Sequence, residues 1–219
     1  MDLWQHCLLK LDEESGEIAT ALLSEDTLSS GCMALSNCEE INLEVNDLEA
    51  VIRALNQKFG FNIHCFQSFE HLDLAKEHAD KDLFFWLMYT VKACLALSKM
   101  SSKCIQFGLQ EKHPDLNEDN YMRLCGCIRD LFFGISQLNG FGLGYIIDEQ
   151  HVNRKLDKID HYLKYSISLN CVTEKPIDPD LLPIRIFIDE YCYLPKANIE
   201  NKKTDAVIAL PMNEGTQSE

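Results

Sequence analysis

Apolar residues recur at helical spacing along most of the chain. Asn46, with Glu49 three residues on, reads as a capping pair, and Leu48, Val51, Ile52, Leu55 and Phe59 then fall on one face before Gly60 supplies a left-handed stop. Asp82 opens a longer helix, running toward Leu109, that is apolar all round from Leu83 to Leu97. A helix without a polar face is a central core element, or one that lends part of its girth to a partner. Pro114 breaks the pattern. A further helix is predicted from about Asn117 to Asn139-Gly140, with Tyr121, Leu124, Cys125, Ile128, Phe132 and Ile135 as its buried stripe, and a charged one from about Val152 to Leu169. Ahead of all these lie two short helical candidates, Leu3–Leu11 and Glu17–Leu28.

Three shorter runs alternate as half-buried strands do: Phe61–Phe66, Phe141–Asp148 and Ile184–Ile188. In the second, Phe141, Leu143, Tyr145 and Ile147 share one face, while Gly142 and Gly144 leave the other bare for close approach of a backbone. Separated strands with long helical interludes predict an α+β fold, a small antiparallel or mixed β-sheet packed against several long α-helices. The expected organisation is a loosely docked helical arm over 1–45, an α+β domain over 46–194 and a flexible tail over 195–219. That tail is polar and lacks aromatic residues, apart from an apolar island at Ala206–Leu210.

Composition narrows the function. Of 219 residues 46% are hydrophobic and 25% charged, enough apolar side chain to bury a core. With 35 acidic against 20 basic residues the formal net charge is −15, which argues against nucleic acid and against anionic membrane surfaces, since both repel such a protein. The same charge suits partners that carry positive charge. The start, Met1-Asp2-Leu3-Trp4, has no basic segment followed by an apolar one, so no signal peptide is expected. Leu83–Val91 is half the ~20 residues that cross a bilayer, so direct membrane insertion is not expected either. Ten cysteines scattered through apolar patterns read as reduced, buried thiols.

No catalytic, metal-binding or cofactor-binding set emerges. Gly140-x-Gly142-x-Gly144 lacks the lysine and hydroxyl residue of a phosphate loop. Cys125-Gly126-Cys127 has no second pair to complete a zinc tetrahedron. His64 and Cys65, adjacent on a strand, face opposite sides. Glu13-Glu14, Glu39-Glu40 and Asp178-x-Asp180 read as solvated charges, and Asp148-Glu149 and Asp189-Glu190 as strand ends. No cofactor is implied. A core-rich acidic chain with surplus apolar helix surface describes a binding module. The candidate partner surfaces are Phe84, Phe85 and Trp86, the pair Phe132 and Phe133, and the edge strand of Ile184, Ile186 and Ile188, where Arg185 discourages pairing.

Three segments in order carry a family resemblance: Asn56-Gln57-Lys58-Phe59-Gly60-Phe61-Asn62-Ile63-His64-Cys65-Phe66-Gln67-Ser68-Phe69-Glu70, then Asn139-Gly140-Phe141-Gly142-Leu143-Gly144-Tyr145-Ile146-Ile147-Asp148-Glu149, then Ile184-Arg185-Ile186-Phe187-Ile188-Asp189-Glu190. Over roughly 46–192 the chain resembles the IcmS-like acidic adaptors of the Dot/Icm type IVB secretion system, with the N-terminal arm, the long Asp82–Leu109 helix, the 150–183 segment and the tail as extras. The resemblance implies a non-enzymatic, chaperone-like adaptor of the coupling complex. Such an adaptor is cytoplasmic in a bacterium and recruited to the inner membrane through partners. Those partners would be the C-terminal region of the coupling ATPase DotL, IcmS/IcmW-like adaptors and effector proteins, in a hetero-oligomeric complex. The competing expectations are a cysteine-dependent hydrolase or transferase, and a translocated effector that binds host proteins.

Overall fold

In the computed structural model, residues 1–24, 35–63, 80–114, 116, 118–169 and 171 are described, all of them within the first of two units, Met1–Pro183. They form five α-helices: α1 (Leu3–Leu22), α2 (Leu35–Phe59), α3 (Leu83–Phe107), α4 (Asn120–Asn139) and α5 (Glu149–Ser168). The α+β expectation is corrected: among the described residues there is no strand, and Lys112 and Asp119 form an isolated bridge.

The helices stack in the order α4, α3, α1, α2, α5, each against the next. α1 therefore lies between two neighbours and needs apolar residues on both sides. It has them: Leu3, Trp4, Cys7, Leu8, Leu11, Ile18 and Leu22 are all buried. A single continuous helix thus replaces the two short ones expected, and its side chains are core rather than periphery. Gln5 holds both ends of the start, accepting from the Asp2 N–H at 2.8 Å and donating to the Ile105 carbonyl at 3.2 Å on α3. Phe61 fills the gap between Trp4 and Tyr121, with ring centroids 6.5 and 5.5 Å away.

α2 buries Cys38, Ile41, Val45, Leu48, Ile52 and Leu55, a 3–4 alternation that begins well before Asn46. Asn46 is consequently mid-helix, not a cap, and its side chain is free to serve another segment. α3 and α4 start where their capping residues dictate: Asp82 accepts from the Phe85 N–H at 2.9 Å and Asp119 from the Met122 N–H at 2.8 Å. The two helices are packed tightly at Gly134, where an added Cβ would lie 2.4 Å from Thr90 Oγ1.

The glycine segment after α4 is irregular and pairs with no strand among the described residues. Gly142 (φ 99°) and Gly144 (φ 65°) bend it through the left-handed region, so their role is the turn and not a close backbone contact. Asparagine amides then do what a neighbouring strand would do. Asn42 donates to the Leu143 carbonyl (3.3 Å), and Asn139 accepts from the Tyr145 N–H (2.7 Å). Asn46 donates to the Ile146 carbonyl (3.2 Å) and accepts from the Asp148 N–H (2.8 Å). A side-chain amide carries the same donor and acceptor as a peptide group, which is why a helix face can stand in for a sheet edge. Asn56 repeats the device, donating to the Ile63 carbonyl at 2.8 Å and accepting from its N–H at 3.0 Å, in the described part of the expected 61–66 strand.

Asp148 and Glu149 end no strand. Asp148 caps α5, accepting from Gln150 and His151 N–H at 3.0 and 3.1 Å, while Glu149 makes a bidentate pair with Arg53 of α2 at 2.7 and 2.9 Å. The strand expected over 141–148 is thus absent. The third segment, with Ile184, Ile186 and Ile188, lies outside the described residues, as do the 195–219 tail and His64–Phe66.

Candidate functional site

α3 is the element whose two sides differ most. Its inner side buries Leu83, Trp86, Leu87, Thr90, Val91, Cys94, Leu97, Met100 and Cys104 against α1 and α4. Its outer side exposes Phe84 (61%), Met88 (43%) and Leu95 (63%), together with Lys92 and Lys99. At 100° per residue these five fall within an arc of roughly 80°. The helix is not apolar all round in its setting. It is a core helix with a narrow exposed stripe of apolar and basic residues. It is also, among the described residues, the one helix long and apolar enough to cross a membrane, and half of that apolar window is buried within the fold.

The expected partner residues divide accordingly. Phe84 is exposed; Phe85 is half-buried, with its ring 5.1 Å from Trp86 and Lys81 Nζ 5.8 Å above it. Trp86, Phe132 and Phe133 are core: Trp86 and Phe133 meet edge-to-face at 5.6 Å, and Phe132 is fully buried in α4. Ile184, Ile186 and Ile188 lie outside the described residues. Met88, Leu95, Lys92 and Lys99 were missed by sequence reasoning. Their spacing of three and four was visible, but it takes knowing which side is buried to pick them out.

A second cluster joins α1, α2 and α5. Lys155 Nζ lies 3.0 Å from Glu14 Oε1 and 2.5 Å from Asp47 Oδ2, and the His151 Nε2 atom lies 2.6 Å from Asp47 Oδ1. Glu17 and Glu44 join them, one carboxylate oxygen each from Glu14, Glu17 and Glu44 lying within 4.8 Å of one another. Glu14 is mid-helix and 1% exposed, which corrects its reading as a solvated charge. Loss of water pushes the Glu14 carboxyl up to about 7 against the pull of Lys155. Loss of water and the neighbouring Glu17 push Glu44 up to about 7 as well.

Because both folded values lie above the ordinary 4.5, the folded state binds more protons than the unfolded chain between about pH 4.5 and 7, and stability falls as pH rises through that window. Asp160 and Glu149 are shifted the other way, downward, by Lys58 and Arg53, and act below that window; His6, lowered by burial and by Lys10, acts inside it in the opposite sense, one group against two. Thermal melts between pH 5 and 7.5 are expected to show a falling melting temperature, and Glu44→Gln to flatten the slope. A melting temperature that rises across the window would contradict this assignment.

Five of the described thiols are shifted away from activation. Burial pushes Cys7, Cys94, Cys104 and Cys125 up to about 12 and Cys127 to about 11, the reverse of what a thiolate nucleophile requires. Cys125 and Cys127 sit on α4 with Tyr121 and not a second cysteine pair as the former's neighbour. No protein-family model, no curated protein and no solved structure matches the chain.

Proposed function

We propose that this protein is a non-enzymatic adaptor that grips a segment of another polypeptide on the outer face of α3, within the coupling complex of a type IVB secretion system. One observation supports the gripping: Phe84, Met88 and Leu95 stay in water on a helix whose other side is locked into the core. Burying such side chains on a partner releases about 25 cal/mol per Å² of apolar surface, and no described residue covers Phe84, Met88 or Leu95. The placing in a coupling complex is supported by the order of the three sequence segments alone. On that reading the partners are the C-terminal region of the coupling ATPase, IcmS/IcmW-like adaptors and effector proteins, met in a bacterial cytoplasm.

Affinity purification from the native cell tests both parts. The coupling ATPase and IcmS-like partners are expected in stoichiometric amounts. Phe84→Ser with Leu95→Ser is expected to weaken that recovery by about tenfold or more while shifting stability by no more than roughly 0.5 kcal/mol, since both side chains are exposed. Recovery of the bare protein alone would contradict the proposal.

A further inference from the structure

The outer side of α3 follows a seven-residue repeat. Met88, Leu95 and Ser102 form one row and Phe85, Lys92, Lys99 and Gln106 another. The rows interleave at three- and four-residue steps, which is the spacing of a coiled-coil seam over three heptads. Apart from half-buried Phe85, every member is exposed. One row offers apolar knobs at Met88 and Leu95; the other alternates them with positive charge.

That charge is local, and no described carboxylate answers it. α3 carries three lysines and no carboxylate, in a chain whose net charge is −15. Lys92, Lys99 and Lys103 make no ion pair among the described residues. Lysine at two successive seam positions also rejects a second copy of this chain. A parallel copy in register sets Lys92 against Lys92 and Lys99 against Lys99. An antiparallel copy sets each lysine against apolar side chains with no counter-charge. The missing complement is a carboxylate.

We propose that the outer seam of α3 receives an amphipathic helix of a different protein, its leucine-type side chains packed on Met88 and Leu95 and its carboxylates facing Lys92 and Lys99. The proposal rests on the protein-binding reading above and gives that partner its chemistry, acidic and not basic. It also refines what the whole-chain charge suggests, because the surface that binds has the opposite sign to the molecule. An anionic membrane would also attract basic and apolar residues on one helix face. The seam is too narrow for that role: roughly 80° of arc is exposed, and the acidic remainder of the molecule opposes approach to a charged bilayer.

The test uses the full-length protein and three fluorescent three-heptad helical peptides with leucine in one seam row and glutamate, serine or lysine in the other. Binding is read by anisotropy. The glutamate peptide is expected to bind about tenfold or more tightly than the serine peptide, more tightly still than the lysine peptide, and less well as salt is raised. K92E combined with K99E is expected to reverse the order of the glutamate and lysine peptides without moving the melting temperature by more than a few degrees, and Leu95→Ser to weaken both.

Equal binding of glutamate and serine peptides, or binding of none while Leu95-dependent recovery of the coupling ATPase persists, would overturn the acidic-helix proposal and leave the adaptor reading in place. Phosphatidylserine vesicles that bind the protein through Lys92 and Lys99 would also overturn it. Loss of the coupling ATPase from the purification is a different failure, that of the adaptor reading itself.

Discussion

Replacing Asn46 by leucine is expected to cost about 2–5 kcal/mol, a large share of the ~5–15 kcal/mol that holds a domain of this kind together. Asn46 is 3% exposed and makes three bonds: its amide donates to the Asn42 carbonyl (2.7 Å) and the Ile146 carbonyl (3.2 Å), and its oxygen accepts from the Asp148 N–H (2.8 Å). Leucine has nearly the same shape but neither the donors nor the acceptor, so the Ile146 carbonyl and the Asp148 N–H lose their partner. The damage spreads along the chain because Asp148 is the cap of α5. Urea unfolding should show the lower stability, and amide exchange should show protection lost first over 145–151. Asn42→Ala, which removes only a 3.3 Å bond from a half-buried residue, is expected to cost about 1 kcal/mol. Equal losses at the two positions would mean that the segment is not held through Asn46.

Gly134→Ala is the second large effect, expected at about 1–3 kcal/mol, the usual cost of overpacking a tight core. The new methyl would sit 2.4 Å from Thr90 Oγ1, 3.1 Å from Thr90 Cβ and 3.2 Å from Thr90 Cα. Thr90 cannot simply swing aside, since it is fully buried and its hydroxyl donates to the Trp86 carbonyl at 2.8 Å. Thr90→Ala removes the closest atom but leaves the contacts to Cβ and Cα. The double variant should therefore recover part of the loss and not all of it, a coupling that a double-mutant cycle by thermal denaturation will read. Strict additivity would place the strain elsewhere.

The helical parts of this fold were legible because their signals are local. Asp82 caps α3 as its position suggests. The stripes Leu48, Val51, Ile52, Leu55 and Tyr121, Leu124, Ile128, Phe132, Ile135 are buried as their spacing requires, while Phe59 and Cys125, expected on the same faces, are half-buried. The sheet was a misreading with a physical cause. Alternation in Leu143, Tyr145 and exposed Ile146 reports an extended backbone with one side buried, but it does not report what satisfies that backbone. Here the answer is a row of asparagines on α2, and asparagine spacing along a helix carries no signal until the partner segment is in view. Asn46 with Glu49 mimicked a helix start, although Asn46 is placed for a contact far along the chain and Glu49 pairs with Arg53 one turn on.

The expected surface residues divide in the structure. Phe84 is exposed, whereas Trp86, Phe132 and Phe133, equally aromatic in sequence, are spent on the α3–α4 core. Lys155 reaches Glu14 and Asp47 from a different helix, and no spacing rule connects positions so far apart.

The claim on which the account turns is that the seam of α3 is where another polypeptide is held. A photo-crosslinking amino acid placed at Leu95, 63% exposed on that seam, can be compared in the native cell with one at Ile146, 74% exposed and off it. The account predicts one defined adduct from position 95, identified by mass spectrometry as a component of the coupling complex, and none from position 146. Adducts from 146 with none from 95 would contradict it.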